Sequence, residues 1–116
     1  MRHLVKTKKF HRKTGQRKAL YKHLANNLIL EEKMTTTEAK AKYVKSYVEK
    51  MITLGKKQNL AALRLLISRI PKGAAEKIYY ELAPKYKGRK GGYLRITKSA
   101  GKRKRDGGDM AIVEFV

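Results

Sequence analysis

The sequence predicts a single α+β domain, in which about four helices pack on a small mixed sheet and an extended basic arm precedes them. Three observations support this. Apolar residues repeat at helical spacing through the middle of the chain, short β-prone segments lie near residues 33–36, 93–98 and 110–116, and residues 1–13 show neither pattern. The 116 residues, 41% of them hydrophobic, suffice for one domain with a modest core.

Three parts are expected within this one domain, which takes up residues 1–116. Residues 1–13 form the basic arm, residues 14–84 are mainly helical, and residues 85–116 contain a basic loop and a hairpin. We find no internal repeat and no low-complexity linker between these parts, so we expect them to fold together.

The first helix is predicted over roughly residues 15–32, with Thr14 as its N-cap. A stripe of apolar side chains at helical spacing runs along it: Leu20, Leu24, Ala25, Leu28 and Ile29. Lys18 and Lys22 lie on another face. A short β-prone strand near residues 33–36 follows, and it could form the edge of a sheet.

Three further helices are expected. Thr37 can cap the second helix, which ends near Gly55 and has an apolar stripe: Ala41, Val44, Val48, Met51 and Ile52. Asn59 can cap the third, which ends at Pro71 and has its own apolar residues: Leu60, Leu63, Leu66, Ile67 and Ile70. The fourth extends from about Gly73 to Ala83, and Pro84 ends it.

The last part of the chain predicts a hairpin. Tyr93–Lys98 and Met110–Val116 are β-prone, and a basic, glycine-containing turn joins them. The second of these strands is apolar on both faces except at Glu114, which is typical of an internal strand.

The formal net charge of +21 indicates an anionic partner, such as nucleic acid, an anionic membrane surface or an acidic protein. Cysteine is absent, which excludes disulfides and weakly favours the cytoplasm. The sequence has neither an apolar run long enough to span a membrane nor a signal-peptide core. A mitochondrial transit peptide is also basic and acid-poor, but residues 1–13 contain no Ser and no amphipathic stripe.

Catalysis is poorly supported. His3, His11 and His23 do not have the spacing of a helical metal site, and the carboxylates are scattered among lysines. The segment Gly88–Gly92 does not match a phosphate-binding loop of nucleotide-binding enzymes; it is either an anion-binding nest or a flexible entry to the next strand. We therefore expect no enzyme activity, no metal, no cofactor, no small-molecule substrate and no membrane partner.

Two acid-free basic runs are the strongest signal. The first 18 residues contain eight Lys or Arg, and the segment from Lys85 to Arg105 contains ten. Such runs can neutralise phosphates and gain affinity from counterion release. Three aromatic residues are interleaved with them, Phe10, Tyr86 and Tyr93, and these could stack on unpaired bases. Tyr93 could instead simply begin the strand, and Phe10 would pack within the protein only if the arm folds back. A basic arm that orders on binding favours RNA over duplex DNA.

Four segments together resemble one family. They are the opening MRHLVKTKKFHRKTGQRKAL, the middle TTTEAKAKYVKSYVEKMITLGKK, the stretch ELAPKYKGRKGGYLRITK and the closing MAIVEFV. In order and spacing they are similar to the seventeenth large-subunit ribosomal protein of bacteria, the bL17 family. Two departures concern the hairpin tip, residues 101–109. A proline-containing step expected before the last strand is missing, and the preceding loop is more basic than in the family pattern.

The resemblance implies a cytoplasmic, non-enzymatic protein of the large ribosomal subunit. It would lie near the exit-tunnel region on the solvent side, in contact with large-subunit rRNA and neighbouring ribosomal proteins. The arginines at positions 2, 12, 17, 89 and 95 are the best candidates for bidentate phosphate contacts. The candidate rRNA-binding residues are Arg2, His3, Lys6, Lys8, Lys9, Arg12, Lys13, Arg17, Lys18, Lys22, Arg89, Lys90, Tyr93, Arg95, Lys98, Lys102, Arg103, Lys104 and Arg105.

Three other hypotheses remain at this stage. The chain could be a free-standing DNA-binding architectural protein, a cationic protein of membrane surfaces, or a small hydrolase acting on RNA. A membrane-surface protein would need a basic amphipathic helix, but the most basic segments are the least helical. A hydrolase would need more candidate acids and bases than the chain offers.

Overall fold

The computed structural model describes residues 9–116, apart from the side chain of Ala100. The elements follow in the order helix, strand, helices, hairpin, which confirms the predicted α+β class. They are α1 (Thr14–Glu31), β1 (Lys33–Thr37), α2 (Glu38–Gly55), α3 (Leu60–Arg69), α4 (Lys72–Lys77), a π-helical turn (Ile78–Leu82), α5 (Ala83–Lys85), β2 (Leu94–Lys102) and β3 (Asp109–Phe115). The predicted structure of residues 1–8 lies outside the described part of the chain.

The three strands form one sheet in the order β1-β3-β2. Val113 of β3 lies opposite Met34 of β1 on one side and opposite Ile96 of β2 on the other. Both pairings are antiparallel, so the prediction of a mixed sheet is wrong. β3 is the central strand, as its apolar character predicted, and it buries Ala111 and Val113 while Met110 and Ile112 are half-buried.

Helix α2 packs on the sheet, and α1, α3 and the π-helical turn surround it. Its predicted stripe is the centre of the core, because all five of its residues are buried: Ala41, Val44, Val48, Met51 and Ile52. Ala25, Leu28 and Ile29 of α1 pack into the same cluster. In α3 only part of the predicted stripe is inward: Leu66 and Ile70 are buried, whereas Leu60 and Ile67 are exposed.

Pro84 does not end the fourth helical segment, contrary to the prediction. The helix widens into the π-helical turn, in which the Ala83 N–H bonds to the Ile78 carbonyl five residues earlier. A new turn then starts, and Pro84 lies in its first positions, where a missing N–H costs little. The helix therefore extends to Lys85.

The predicted helix caps have different outcomes. Asn59 caps α3 as expected, with its side chain accepting a hydrogen bond from the Ala62 N–H. Thr37 holds the N-cap position of α2, but its side chain makes no capping bond. Thr14 is already helical, and Lys13 precedes it as the N-cap residue.

The described end of the arm turns back onto the domain. The Arg12 N–H bonds to the Lys9 carbonyl at 3.2 Å, and Phe10 and His11 between them both have positive φ. The Phe10 ring consequently meets the rings of Tyr21 and Tyr43 edge-on. Residues 9–12 are thus a turn rather than an extended segment, and Phe10 packs within the protein.

Candidate nucleic-acid interface

The loop from Arg89 to Gly92 is held firmly on the side of α2. The carboxylate of Glu49 accepts a hydrogen bond from the Tyr93 N–H at 3.0 Å. The ammonium of Lys56 donates to the Arg89 carbonyl and, at 2.9 Å, to the Tyr93 hydroxyl. These bonds fix the loop backbone while the side chains of Arg89 and Lys90 stay exposed. Lys56 therefore positions the basic loop.

Tyr86 and Tyr93 are packing residues. Their side chains are buried, and their rings lie 5.3 Å apart against the hairpin. The Tyr86 hydroxyl donates to the Val116 carbonyl at 2.7 Å, and the Tyr93 hydroxyl donates to the Arg89 carbonyl at 3.2 Å. Their burial favours packing over the base stacking that the sequence suggested for both. Tyr93, which the sequence predicted to contact RNA, holds the Arg89 carbonyl and so helps to position Arg89.

The cations of the hairpin differ in what they contact. Arg95 pairs with Glu114 at 2.9 Å across the sheet, and Lys98 is exposed on the same strand. At the tip, Arg103 pairs with Asp106 at 2.7 Å and Lys102 with Asp109 at 3.6 Å. Within the described residues, the exposed side chains of Lys104 and Arg105 make no ion pair. These two are the cations of the tip most available to an anionic partner.

The hairpin tip is ordered by Asp106. Its carboxylate accepts a hydrogen bond from the Gly108 N–H at 3.0 Å and faces Arg103. The Gly108 bond and then the Arg103 charge keep the pKa of Asp106 below its ordinary value. Asp106 is therefore ionised at neutral pH and orients Arg103 along the turn.

The basic face of α1 forms a second surface. Lys18 and Lys22 of α1 are exposed and Arg17 is half-buried, and the three lie around Tyr21 of the same helix. Lys9, Arg12 and Lys13, which precede α1 in the chain, are also exposed. The candidates Arg2, His3, Lys6 and Lys8 lie outside the described residues.

An aromatic cluster that the sequence interpretation did not identify lies beside this basic face. The rings of Tyr21 and Tyr43 are stacked with centroids 3.9 Å apart, and the Tyr47 ring lies 6.4 Å from that of Tyr43 at an interplanar angle of 25°. The four-residue spacing of Tyr43 and Tyr47 in α2 is the signal that could have predicted it. Burial and then Tyr43 raise the pKa of both Tyr21 and Tyr47, so these phenols are neutral at physiological pH.

The two basic regions contact different sides of α2. The hairpin tip adjoins Glu38 and Lys42, and the loop before β2 adjoins Glu49, all on one side of the helix. Tyr43 and Tyr47 project from another side, toward the first helix. The fold therefore presents two separate basic surfaces on one rigid domain, rather than a single continuous site.

The family model that matches this chain is that of ribosomal protein L17, and it covers residues 20–116. The chain belongs to the ribosomal protein L17 family. It is 50% identical over 117 residues to the large ribosomal subunit protein bL17 of Sulfurihydrogenibium sp. (strain YO3AOP1). The aligned region covers 100% of this chain and 97% of that protein. The bL17 protein of Persephonella marina (strain DSM 14350 / EX-H1) is also 50% identical, over 118 residues, 100% of this chain and 95% of the relative.

In this L17-family chain, the hairpin tip follows an irregularity in the pairing of β2 with β3. Between Lys98 and Lys102 the register of β2 against β3 shifts, and pairing resumes at Lys102 and Asp109. The extra residues lengthen β2 beyond the predicted end at Lys98. The basic tip therefore lies beyond the regular pairing of β2 with β3, where it adjoins Glu38 and Lys42 of α2.

Across residues 9–116, we find no cluster of three or more His, Asp or Glu side chains that could hold a metal ion. In the same part of the chain, no helix has both the length and the apolar character that crossing a membrane requires.

Proposed function

We propose that this chain is a structural constituent of the large ribosomal subunit, which binds and stabilises folded large-subunit rRNA without catalysing a reaction. It acts in the cytoplasm, where neighbouring ribosomal proteins of the subunit are further partners. The observation that carries this proposal is the pair of basic surfaces on one L17-family domain. The relatives named as large-subunit proteins support the assignment.

The mechanism is electrostatic attachment of two RNA segments to one rigid body. The basic face of α1 with the arm binds one segment, and the loop at Arg89 with the hairpin tip binds another. Phosphate contacts of this kind fix position without reading base sequence. Because the two surfaces lie on different sides of α2, the domain holds the two segments at a fixed separation.

Cations with no acidic partner carry more of this binding than paired ones. Lys104 and Arg105 are free of ion pairs among the described residues, whereas Arg103 and Arg95 must share their guanidinium groups with Asp106 and Glu114. A paired arginine gains less from a phosphate, because the phosphate competes with a carboxylate already in place.

Salt dependence of RNA binding tests this mechanism. The double variant Lys104→Gln/Arg105→Gln should lower the slope of log K against log salt by about 1.5 units for folded large-subunit rRNA, using about 0.7–0.9 per phosphate contact. The matched control Lys57→Gln/Arg64→Gln, which also removes two exposed cations, lies outside both surfaces and should leave the slope almost unchanged. Equal slopes for the two double variants would contradict the hairpin's role.

Deletion of residues 1–8 tests the arm while it spares Phe10 and the turn. The deleted segment contains three Lys or Arg, so the slope should fall by about 2–3 units while the helical circular dichroism stays unchanged. An unchanged slope would show that residues 1–8 make no phosphate contacts.

Sedimentation of the tagged protein from a cell lysate tests the location. At moderate salt it should travel with large subunits in a sucrose gradient. Sedimentation with the nucleoid would favour the DNA-binding hypothesis, and recovery only at the top of the gradient would refute the ribosomal one.

A further inference from the structure

We propose that the cavity between α1, α2 and the end of α3 binds a single unpaired nucleotide of the rRNA, with its base against the tyrosine rings and its phosphate on the surrounding cations. This inference deepens the proposed function and rests on it. It adds a site for one base to surfaces that otherwise contact only the phosphate backbone.

The cavity has a volume of about 570 Å³, within the usual range of roughly 300–1,000 Å³ for small-molecule sites. Its wall combines an aromatic cluster with basic side chains. Eight residues line it: Arg17, Lys18, Tyr21, Lys22, Tyr43, Tyr47, Ser68 and Arg69. Four of these are cations, three are tyrosines and none is acidic, a composition suited to an anion that carries an aromatic ring.

The tyrosines are arranged as an open surface rather than a closed core. Tyr21 is buried under Tyr43, but Tyr43 and Tyr47 are only half-buried, and their rings are inclined by 25° to each other. The Tyr47 hydroxyl donates to the Arg69 carbonyl at 3.3 Å, which ties the ring to the end of α3. A base can therefore pack on rings whose positions are already fixed, which lowers the entropy cost of binding.

The cations are placed around the rings on two elements. Helix α1 supplies Arg17 and Lys18 from one turn and Lys22 from the next, and Arg69 comes from the last turn of α3. None of the four forms an ion pair with a described carboxylate. Their charges are available to the phosphates on either side of the bound base.

A nucleotide fits this chemistry better than an acidic peptide does. Either ligand satisfies the cations, but only a base offers a flat ring for the half-buried tyrosines. Stacking of a base on an aromatic side chain is tolerant of sequence, because every base has a π face. The cavity also adjoins the basic face of α1, so an RNA strand bound there would pass directly beside it.

A tryptophan reporter tests the proposal, because the chain contains no tryptophan of its own. In the full-length variant Tyr47→Trp, hexauridylate RNA should quench the fluorescence through stacking. An abasic phosphodiester strand of the same length and a hexaglutamate peptide should not. The matched control Tyr80→Trp places the reporter on an exposed tyrosine outside the cavity, and its fluorescence should not respond to the RNA.

Binding measurements separate the base from the phosphate. Tyr43→Leu should weaken hexauridylate binding about 5- to 150-fold, the range for losing one stacked base, without changing the salt slope. Arg69→Gln should weaken binding and lower the slope by roughly 0.7, whereas Arg64→Gln on the same helix should do neither. Thermal unfolding of each variant shows that the fold is retained, and Arg69→Gln keeps the test valid if Tyr43→Leu is unstable.

Equal affinity for hexauridylate and the abasic strand would overturn the proposal, as would equal quenching of Tyr47→Trp by hexaglutamate. If those results accompany a reduced salt slope in Lys104→Gln/Arg105→Gln, the nucleotide site is refuted while the proposed rRNA-binding function stands. If that double variant also binds with an unchanged slope, the proposed function fails together with the site.

Discussion

Gly55, the last residue of α2, lies where that helix approaches the π-helical turn most closely. A Cβ atom added at Gly55 would meet Ile78 Cγ2 at 2.9 Å and Ala83 Cβ at 3.3 Å. Neither neighbour can yield easily, since Ile78 is fully buried and Ala83 has no side-chain freedom. We predict that Gly55→Ala destabilises the protein, although alanine is normally the better helix former.

The expected magnitude combines two opposing effects. An extra carbon forced into a well-packed interior costs about 1–3 kcal/mol. The higher helix propensity of alanine offsets up to about 1 kcal/mol of this, and less at the last residue of a helix. We therefore expect a net loss of about 1–2 kcal/mol in the free energy of unfolding. Because Lys56 follows directly and holds the Arg89 carbonyl, the basic loop should also become less ordered.

Gly73→Ala is the matched control, because Gly73 is also helical but has no atom within 4 Å of the added carbon. It should stabilise the protein by roughly 0.5 kcal/mol. Urea unfolding followed by circular dichroism measures both variants, and their free energies of unfolding should differ by about 2 kcal/mol. If Gly55→Ala proves as stable as Gly73→Ala, close approach of α2 to the π-helical turn does not constrain residue 55.

Three further predictions concern local backbone and charge. Glu32 has a φ of +63° after α1, so Glu32→Gly should raise stability by roughly 0.5–1 kcal/mol, measured by thermal unfolding. Asn59→Ala removes the α3 cap and should lower urea stability by about 1 kcal/mol, whereas no loss would show that the cap contributes nothing. Because its pKa is lowered in the folded protein, the Asp106 carboxylate stabilises the hairpin turn at pH values above the carboxyl's ordinary pKa. This stabilisation is lost as pH falls through the pKa of the folded protein. The protection of the Gly108 amide, measured as its exchange rate relative to the unfolded chain at the same pH, should therefore fall on acidification, and Asp106→Asn should abolish that pH dependence of the protection.

Local patterns in the sequence were enough to predict most of the secondary structure. The α2 stripe from Ala41 to Ile52 has one clear period, and its burial follows directly from that period. The apolar character of β3 likewise predicted a central strand. Pro84 was misleading because a wider turn before it lets the helix restart, and that π-helical turn has no sequence signal that periodicity detects.

The sequence predicted which residues of the candidate site are cationic, but not what those residues contact. The basic runs identified the cations, yet whether a cation is free depends on acids that are distant in sequence, such as Glu114 opposite Arg95. The same holds for the aromatic residues. Tyr93 lies within a basic run but is buried, while Tyr43 and Tyr47 lie in an ordinary helix and line a basic cavity.

By itself, the sequence determined the fold class, the large positive charge and the two segments in which that charge is concentrated, because composition and periodicity are local properties of the chain. The family followed from the resemblance of four segments in order and spacing. The tertiary structure alone decided the antiparallel partner of β1, the continuation of the helix through Pro84, the separation of the basic surfaces by α2 and the tyrosine cavity beside α1. Each of these depends on which distant residues come within a few ångströms of one another, and that distance is set by packing of the whole core rather than by spacing along the chain.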